Sequence, residues 1–257
     1  MLLRAALLAT VAGLASMAPA TTSYRIEQRV DSRIDLSVFG QGEQQQTQAF
    51  IWFTTISYSD SAGGLVMHAV LDSAQVDLGM APVPPGALDS VRGTVFHGFL
   101  DGTGRLVSVT ASREDLLSGQ FGGFLKSFHP RIKAGTKAGD AWTDTLDIET
   151  TNPQANTKTR TITNFQMAGT EQHDGVAARR VEAAFSAVLG GTMQTPGGPA
   201  DMEGKSTGTG TYFLAADGRY LGGQMTSSGD ATISGAFAPA AIPIKNTTTV
   251  TVTVVKK

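Results

Sequence analysis

The chain has no cysteine among its 257 residues. Disulfides and thiolate metal sites are therefore excluded, as is lipid attachment through an N-terminal cysteine, so stability has to come from a core of ordinary size. A concentrated cationic surface is missing too. The 20 Lys and Arg stand against 22 Asp and Glu, and the densest basic group is only Arg25, Arg29 and Arg33 on one strand face. Nucleic-acid binding draws much of its affinity from phosphate neutralisation, so that function class is excluded. After residue 20 no apolar run approaches the roughly 20 residues a membrane-crossing helix needs. Lys, Glu and Leu are sparse, whereas the 30 glycines and frequent Ser and Thr favour strands and turns over helices.

What is present begins with MLLRAALLATVAGLASMAPA. One cation, Arg4, precedes an apolar stretch from Ala5 to about Leu14, and small residues end in Ala18-Pro19-Ala20. That is the order of a secretory signal peptide, with cleavage expected after Ala20; a retained anchor is the alternative. Residues 1–20 are thus read as a signal peptide and 21–257 as a single antiparallel β-rich domain. The destination is the periplasm or the medium, with no transmembrane helix once the signal is removed.

Period-two alternation dominates the rest of the chain. In residues 24–39, Tyr24, Ile26, Val30, Ile34, Leu36 and Val38 share one parity, and Arg25, Glu27, Arg29, Asp31, Arg33 and Asp35 the other. Such a strand buries one face and wets the other, as antiparallel sheets do. QTQAFIWFTTISYS, residues 46–59, is apolar on both parities, which predicts cover on both faces in its middle. A third strand, GLVMHAVLDSAQVD, comes next. The prolines of APVPPG then impose a loop, with one helical turn near Ala87 to Val91. Asp-Gly pairs at 101–102, 174–175 and 217–218 each join two strand-like runs as a hairpin, and KNTTTVTVTVVKK supplies a last strand. The expected fold is mainly β: a long antiparallel meander of about 10–11 strands forming a strongly curved sheet, half-barrel or open barrel, covered by one or two short helices.

One segment breaks the alternation. In SREDLLSGQFGGFLKSFHP, residues 112–130, Ser112 reads as an N-cap before the acids Glu114 and Asp115, and Pro130 ends the element. Leu117, Phe121, Phe124 and Phe128 make one helical stripe. Gly119, Gly122 and Gly123 lie inside it and each costs about 1 kcal/mol relative to alanine, so docking has to hold this helix. It is expected to cover one open end or face of the sheet; a movable lid over an apolar cavity is the sharper alternative.

Motifs of known chemistry fail on spacing or context. GKSTG, residues 204–208, is separated from Gly198 by five residues where a phosphate loop needs four, and TGTGTYF after it is strand-like where a helix is required. As a nucleophile elbow, Ser206 needs a following helix and a later histidine, but no histidine follows His173. His68, His97, His129 and His173 show no metal-ligand spacing, and acid pairs such as Glu114-Asp115 are unspecific. No catalytic residue, metal ligand or cofactor is assigned.

GTKAGDAWTDTLDIET, residues 135–150, sets Asp140, Asp144, Asp147 and Glu149 around Trp142. A strand beginning near Ala141 turns Trp142, Asp144, Leu146 and Ile148 one way and Asp147 and Glu149 the other. Asp140 is left in the preceding turn, where aspartates bond local amides. Asp144, an acid on the tryptophan's face, is then either a hydrogen-bonded structural residue or a ligand-facing one. The Gly139-Asp140-Ala141-Trp142 turn and the Asp-Gly hairpins are similar to those of uncharacterised bacterial exported β-domains with a G-D-x-W turn. By fold analogy, the meander with a covering apolar helix resembles the periplasmic lipoprotein-carrier half-barrels, which hold acyl chains. The resemblance implies Phe50, Trp52, Phe53, Phe121, Phe124 and Phe128 as cavity walls, residues that by themselves read as ordinary core; Trp142 and Asp144 complete the candidate ligand-binding set. The expectation is an exported, non-enzymatic envelope protein binding an apolar or amphipathic ligand, a lipid or another envelope component. The alternatives are a periplasmic or secreted hydrolase with a site assembled from strand residues, and an outer-membrane β-barrel.

Overall fold

The computed structural model describes residues 21–79, 86–102, 104–113, 115–130, 132, 135–152, 155–195, 197–236 and 238–256. The expected signal peptide and the proline loop at 80–85 lie outside the described residues. The chain runs β1 (Thr22–Asp35), β2 (Glu43–Ser61), β3 (Gly64–Asp77), α1 (Ala87–Val91), β4 (Thr94–Asp101), β5 (Leu106–Ala111) and α2 (Leu116–Leu125). It continues through β6 (Ala141–Asn152), β7 (Ala155–His173), β8 (Val176–Thr195), β9 (Gly198–Ala215), β10 (Tyr220–Gly235) and β11 (Ile242–Val254).

All eleven strands form one antiparallel sheet in the order β5-β4-β3-β2-β1-β11-β10-β9-β8-β7-β6. Sequence neighbours are spatial neighbours, with two exceptions that define the architecture. β1 pairs with β11, so the first and last strands meet mid-sheet; β5 and β6 do not pair, so the meander stays open between them. The connection between those two edges is the segment that carries α2.

Because side chains alternate, register decides which residues share a face. One row reads straight across seven strands: Met167, Val181, Tyr212, Gly223, Val252, Ile26, Trp52. This face, also holding Tyr24, Phe50, Ile56 and Tyr58, is the inner one. The opposite, outer face takes the ionic half of the alternation. There Lys158 meets Glu149 at 2.8 Å and Arg160 meets Asp147 at 4.0 Å across β6 and β7.

Curvature has identifiable causes. The ladders shift register at Phe53/Thr54, Phe99/Leu100, Met167/Gly169 and Tyr220/Gly222, and such bulges bend and coil a strand. At Gly222 φ is +108°, and a Cβ there would overlap the Val252 carbonyl. Only glycine fits this bend.

At the end of the sheet where β1 begins, here called the head, the inner face wraps around α2 and the residues that come after it. Phe121 sits with its ring centroid 5.5 Å from Trp52 and 5.2 Å from Phe96. Phe128 lies 5.1 Å from Tyr24 and 5.2 Å from Tyr220, and Ile132 packs into the cluster of Phe165 and Trp142. The segment thus crosses the inner face from β4 to β7. Among the described residues, no helix is long and apolar enough to cross a membrane.

Three sequence expectations change. The first strand stops at Asp35, whose carboxylate accepts the Ser37 N–H and opens a 3-10 turn at Ser37–Phe39, so Leu36 and Val38 leave the strand. The helix begins after Asp115, not Ser112. Asp115 accepts the Ser118 N–H at 2.8 Å while the Ser118 hydroxyl accepts the Asp115 N–H at 2.9 Å, a reciprocal capping box; the Ser112 hydroxyl instead accepts the Val95 N–H. On β2, Ile51 and Phe53 are only half-buried. Their register neighbours are Glu27 with Gln75 and Arg25 with Ser73, and the stems of Glu27, Gln75 and Arg25 give partial apolar cover on a wet face.

Candidate functional site

The candidate residues fall into separate places. Phe50, Trp52, Phe121 and Phe128 are 0–3% exposed in the head core, and Phe124 is half-buried beside Phe121 and Phe128. Phe53 is on the outer face. Trp142 stacks on Phe165 at 5.3 Å, and Asp144 lies on the same face one row further from the head, half-buried. Asp147 and Glu149 point outward into ion pairs, and Asp140 accepts the Lys137 N–H at 2.7 Å. A cavity of about 10 Å³ bounded by Met67, Leu100, Leu106, Leu125 and His129 adjoins the end of α2. It is no larger than one water requires.

His129 follows Phe128 into a box of rings, 5.3 Å from Tyr58, 4.6 Å from Phe128 and 5.5 Å from Tyr220. Its Nε2 is hydrogen-bonded to the Tyr58 hydroxyl. Burial pushes the imidazole pKa down to about 3 and pushes the Tyr58 and Tyr220 phenols well up. A neutral imidazole beside a protonated phenol leaves Tyr58 O–H as the donor and Nε2 as the acceptor. The Tyr24 hydroxyl donates to the Tyr220 carbonyl at 3.0 Å, tying β1 to β10 beneath the same segment. This cluster clamps the covering segment to both halves of the sheet.

Beyond the head, the inner face changes character. The core clusters end near the row of Phe165, Ala183, Met225, Val250 and Phe50. The next two rows mix small polar and apolar groups: Thr163, Gly208, Ser227, Thr248 and Gln48 share one with Phe185 and Val30, and Thr161, Ser206, Gly229, Asn246, Ser32 and Gln46 share the other with Leu146 and Ala187. A third row is mainly aliphatic, with Ile148, Leu189, Ala231, Ile244 and Ile34 beside Thr159, Gly204 and Gln44. All of these are half-buried. Among the described residues of these rows from β6 to β2, Asp144 is the one ionisable side chain, whereas the outer face behind them carries Arg29, Arg33, Lys158, Arg160, Lys205 and Lys245 with their acidic partners. Gln46 donates to the Leu78 carbonyl at 2.9 Å, which brings the end of β3 to one margin of this surface.

The histidines other than His129 are on or near the outer face. His68 and His97 are register partners with ring centroids 5.2 Å apart, both exposed. His173 stacks on Phe213 at 3.8 Å and shares a groove of about 910 Å³ with Glu182, whose carboxylate is paired with Arg180. No group of three or more His, Asp and Glu residues gathers as a possible metal site among the described residues.

No protein-family model matches the chain, and no curated protein does. Among solved structures, Pseudomonas aeruginosa OccK2 (OpdF), in complex with glucuronate, aligns over 92% of this chain and 97% of its own at 7% identity. Its TM-score is 0.21, at which the likeness carries no argument.

Sequence reading did not single out the polar rows of the inner face. Thr161, Ser206, Asn246 and Ser32 come from four strands, and only the register of the β1–β11, β10–β11, β9–β10, β8–β9 and β7–β8 pairs lines them up. The alternation that placed them on the less polar parity was visible; their shared row was not.

Proposed function

We propose that this protein is an exported, non-enzymatic envelope component that holds an amphipathic ligand against the inner face of its sheet, beyond the head. The observation that carries the reading is the segregation of charge. One face holds ions of both signs, and the other, past the reach of α2, offers small, hydroxyl, amide and apolar side chains, Phe185 among them, that are half-buried with a single carboxylate at one margin. Ligand surfaces are mostly apolar with a few placed polar groups, and this is that composition. The phenylalanines around α2 serve in this reading as the packed end of the trough, by the fold analogy with lipoprotein-carrier half-barrels.

An outer-membrane barrel fits less well, because Arg or Lys facing hydrocarbon at the bilayer midplane costs about 2–4 kcal/mol each, and the outer face carries several. A hydrolase would draw on His173 and Glu182 in their shared groove, but Glu182 is engaged by Arg180 and His173 by Phe213.

The test uses neighbouring residues of opposite parity. Ala231 is half-buried on the inner face and Thr232 is exposed on the outer one. With the uncharged fluorophore N-phenyl-1-naphthylamine, the mature protein and its Thr232→Arg variant are expected to give saturable enhancement that Ala231→Arg abolishes. Equal responses from all three proteins, with folding checked by circular dichroism, refute the reading. Native mass spectrometry of protein recovered from its own periplasm or medium then identifies what co-purifies.

A further inference from the structure

We infer that the ligand has an uncharged, hydrogen-bond-donating head, a sugar or other polyol, seated on the polar rows, with its chain running over the aliphatic row away from the head of the sheet. The inference rests on the carrier reading and names the ligand class.

The polar rows carry hydroxyls and amides on β7, β9, β10, β11, β1 and β2, with Phe185 and Ala187 on β8 and Val30 on β1 among them, and no cation interrupts them. An anionic head, carboxylate or phosphate, placed on this half-buried surface loses hydration and finds no Lys or Arg in these rows to replace it, and Asp144 at the β6 margin supplies none. A cationic head meets one carboxylate at that margin and otherwise neutral groups. A polyol needs only what the rows supply. Asn246 makes the case specific. Its Oδ1 is buried and has no hydrogen-bond partner within the protein, between Ser32 on one side and the side-chain-free Gly229 on the other. Buried acceptors are nearly always satisfied, and an O–H donor from a ligand satisfies this one once the Asn246 side chain turns toward the trough. The adjacent aliphatic surface has the required extent, since Ser206 to Ala200 along β9 spans about 20 Å at ~3.4 Å per residue.

The experiment is competition against N-phenyl-1-naphthylamine with three dodecyl amphiphiles below their micellar concentrations: dodecyl glucoside, dodecanoate and dodecyltrimethylammonium. The glucoside is expected to displace the fluorophore at a concentration at least 10-fold lower than either ion, and Asn246→Leu to reduce that preference to below 3-fold while the fluorophore still binds. Dodecanoate or the ammonium displacing equally well or better overturns the uncharged head and leaves the carrier reading standing. An undiminished preference in Asn246→Leu overturns the seat at Asn246. Absence of fluorophore binding in the unsubstituted protein removes the carrier reading itself, and this inference with it.

Discussion

Replacing Phe121 by alanine tests whether α2 is held by docking. Phe121 is 0% exposed, and its ring meets those of Trp52, Phe96 and Phe124. Truncating a buried phenylalanine costs about 3–5 kcal/mol. The helix has little of its own to set against this, because Gly119, Gly122 and Gly123 together cost about 3 kcal/mol relative to alanine and the capping box returns about 1 kcal/mol. The deficit is therefore expected to release α2 from the sheet before the sheet unfolds. In hydrogen exchange read by mass spectrometry, amides of residues 119–128 should lose protection by about 100-fold or more, since each 1.4 kcal/mol is about tenfold. Amides of Ile26 and Trp52, paired within the β1–β2 ladder, should change by less than about tenfold. Equal losses in α2 and in β1–β2 would make helix and sheet one cooperative unit and refute the reasoning. Retained protection in 119–128 would refute the docking account.

Asp115→Ala removes the side chain that accepts the Ser118 N–H and is expected to cost about 0.5–2 kcal/mol in urea unfolding, the range for lost N-caps. Two glycines should respond oppositely in thermal unfolding. Gly222→Ala is destabilising because its Cβ meets the Val252 carbonyl at a φ of +108°, whereas Gly119→Ala, with nothing within 4 Å, should stabilise by up to about 1 kcal/mol. For His129 the folded-state pKa of about 3 lies below the unfolded value, so the unfolded state binds more protons as pH falls. Stability is then full above about pH 6.5 and is lost on acidification toward pH 3. Between pH 6.5 and 4.5 the wild type should lose about 2 kcal/mol more than His129→Gln, measured by chemical denaturation; parallel pH profiles would count against the burial of the ring.

Much of the fold was legible because alternation is written residue by residue. Tyr24, Ile26, Val30 and Ile34 took the inner face of β1 as their parity required. The Asp-Gly pairs closed the hairpins between β4 and β5, β7 and β8, and β9 and β10. Trp142 and Asp144 shared a face, as a strand starting at Ala141 demands. The helix start was misplaced by three residues because Ser112 and Asp115 are both capping types, and only the pairing of the Ser112 hydroxyl with the Val95 N–H commits it elsewhere. The ring box around His129 was not legible, because its surroundings come from β2 and β10, far away in the chain.

By itself, then, the sequence determined the class of fold, the turns and the faces of β1 and β6, since these depend on the period of the chain and the chemistry of glycine and aspartate. Tertiary structure alone decided that β1 pairs with β11, that the sheet opens between β5 and β6, and that Asn246, Ser206 and Thr161 fall into one row. Those outcomes depend on which strands pair and in which register, and such long-range choices are fixed by the simultaneous packing of the head core around Phe121, Phe128 and His129 rather than by any local stretch of residues.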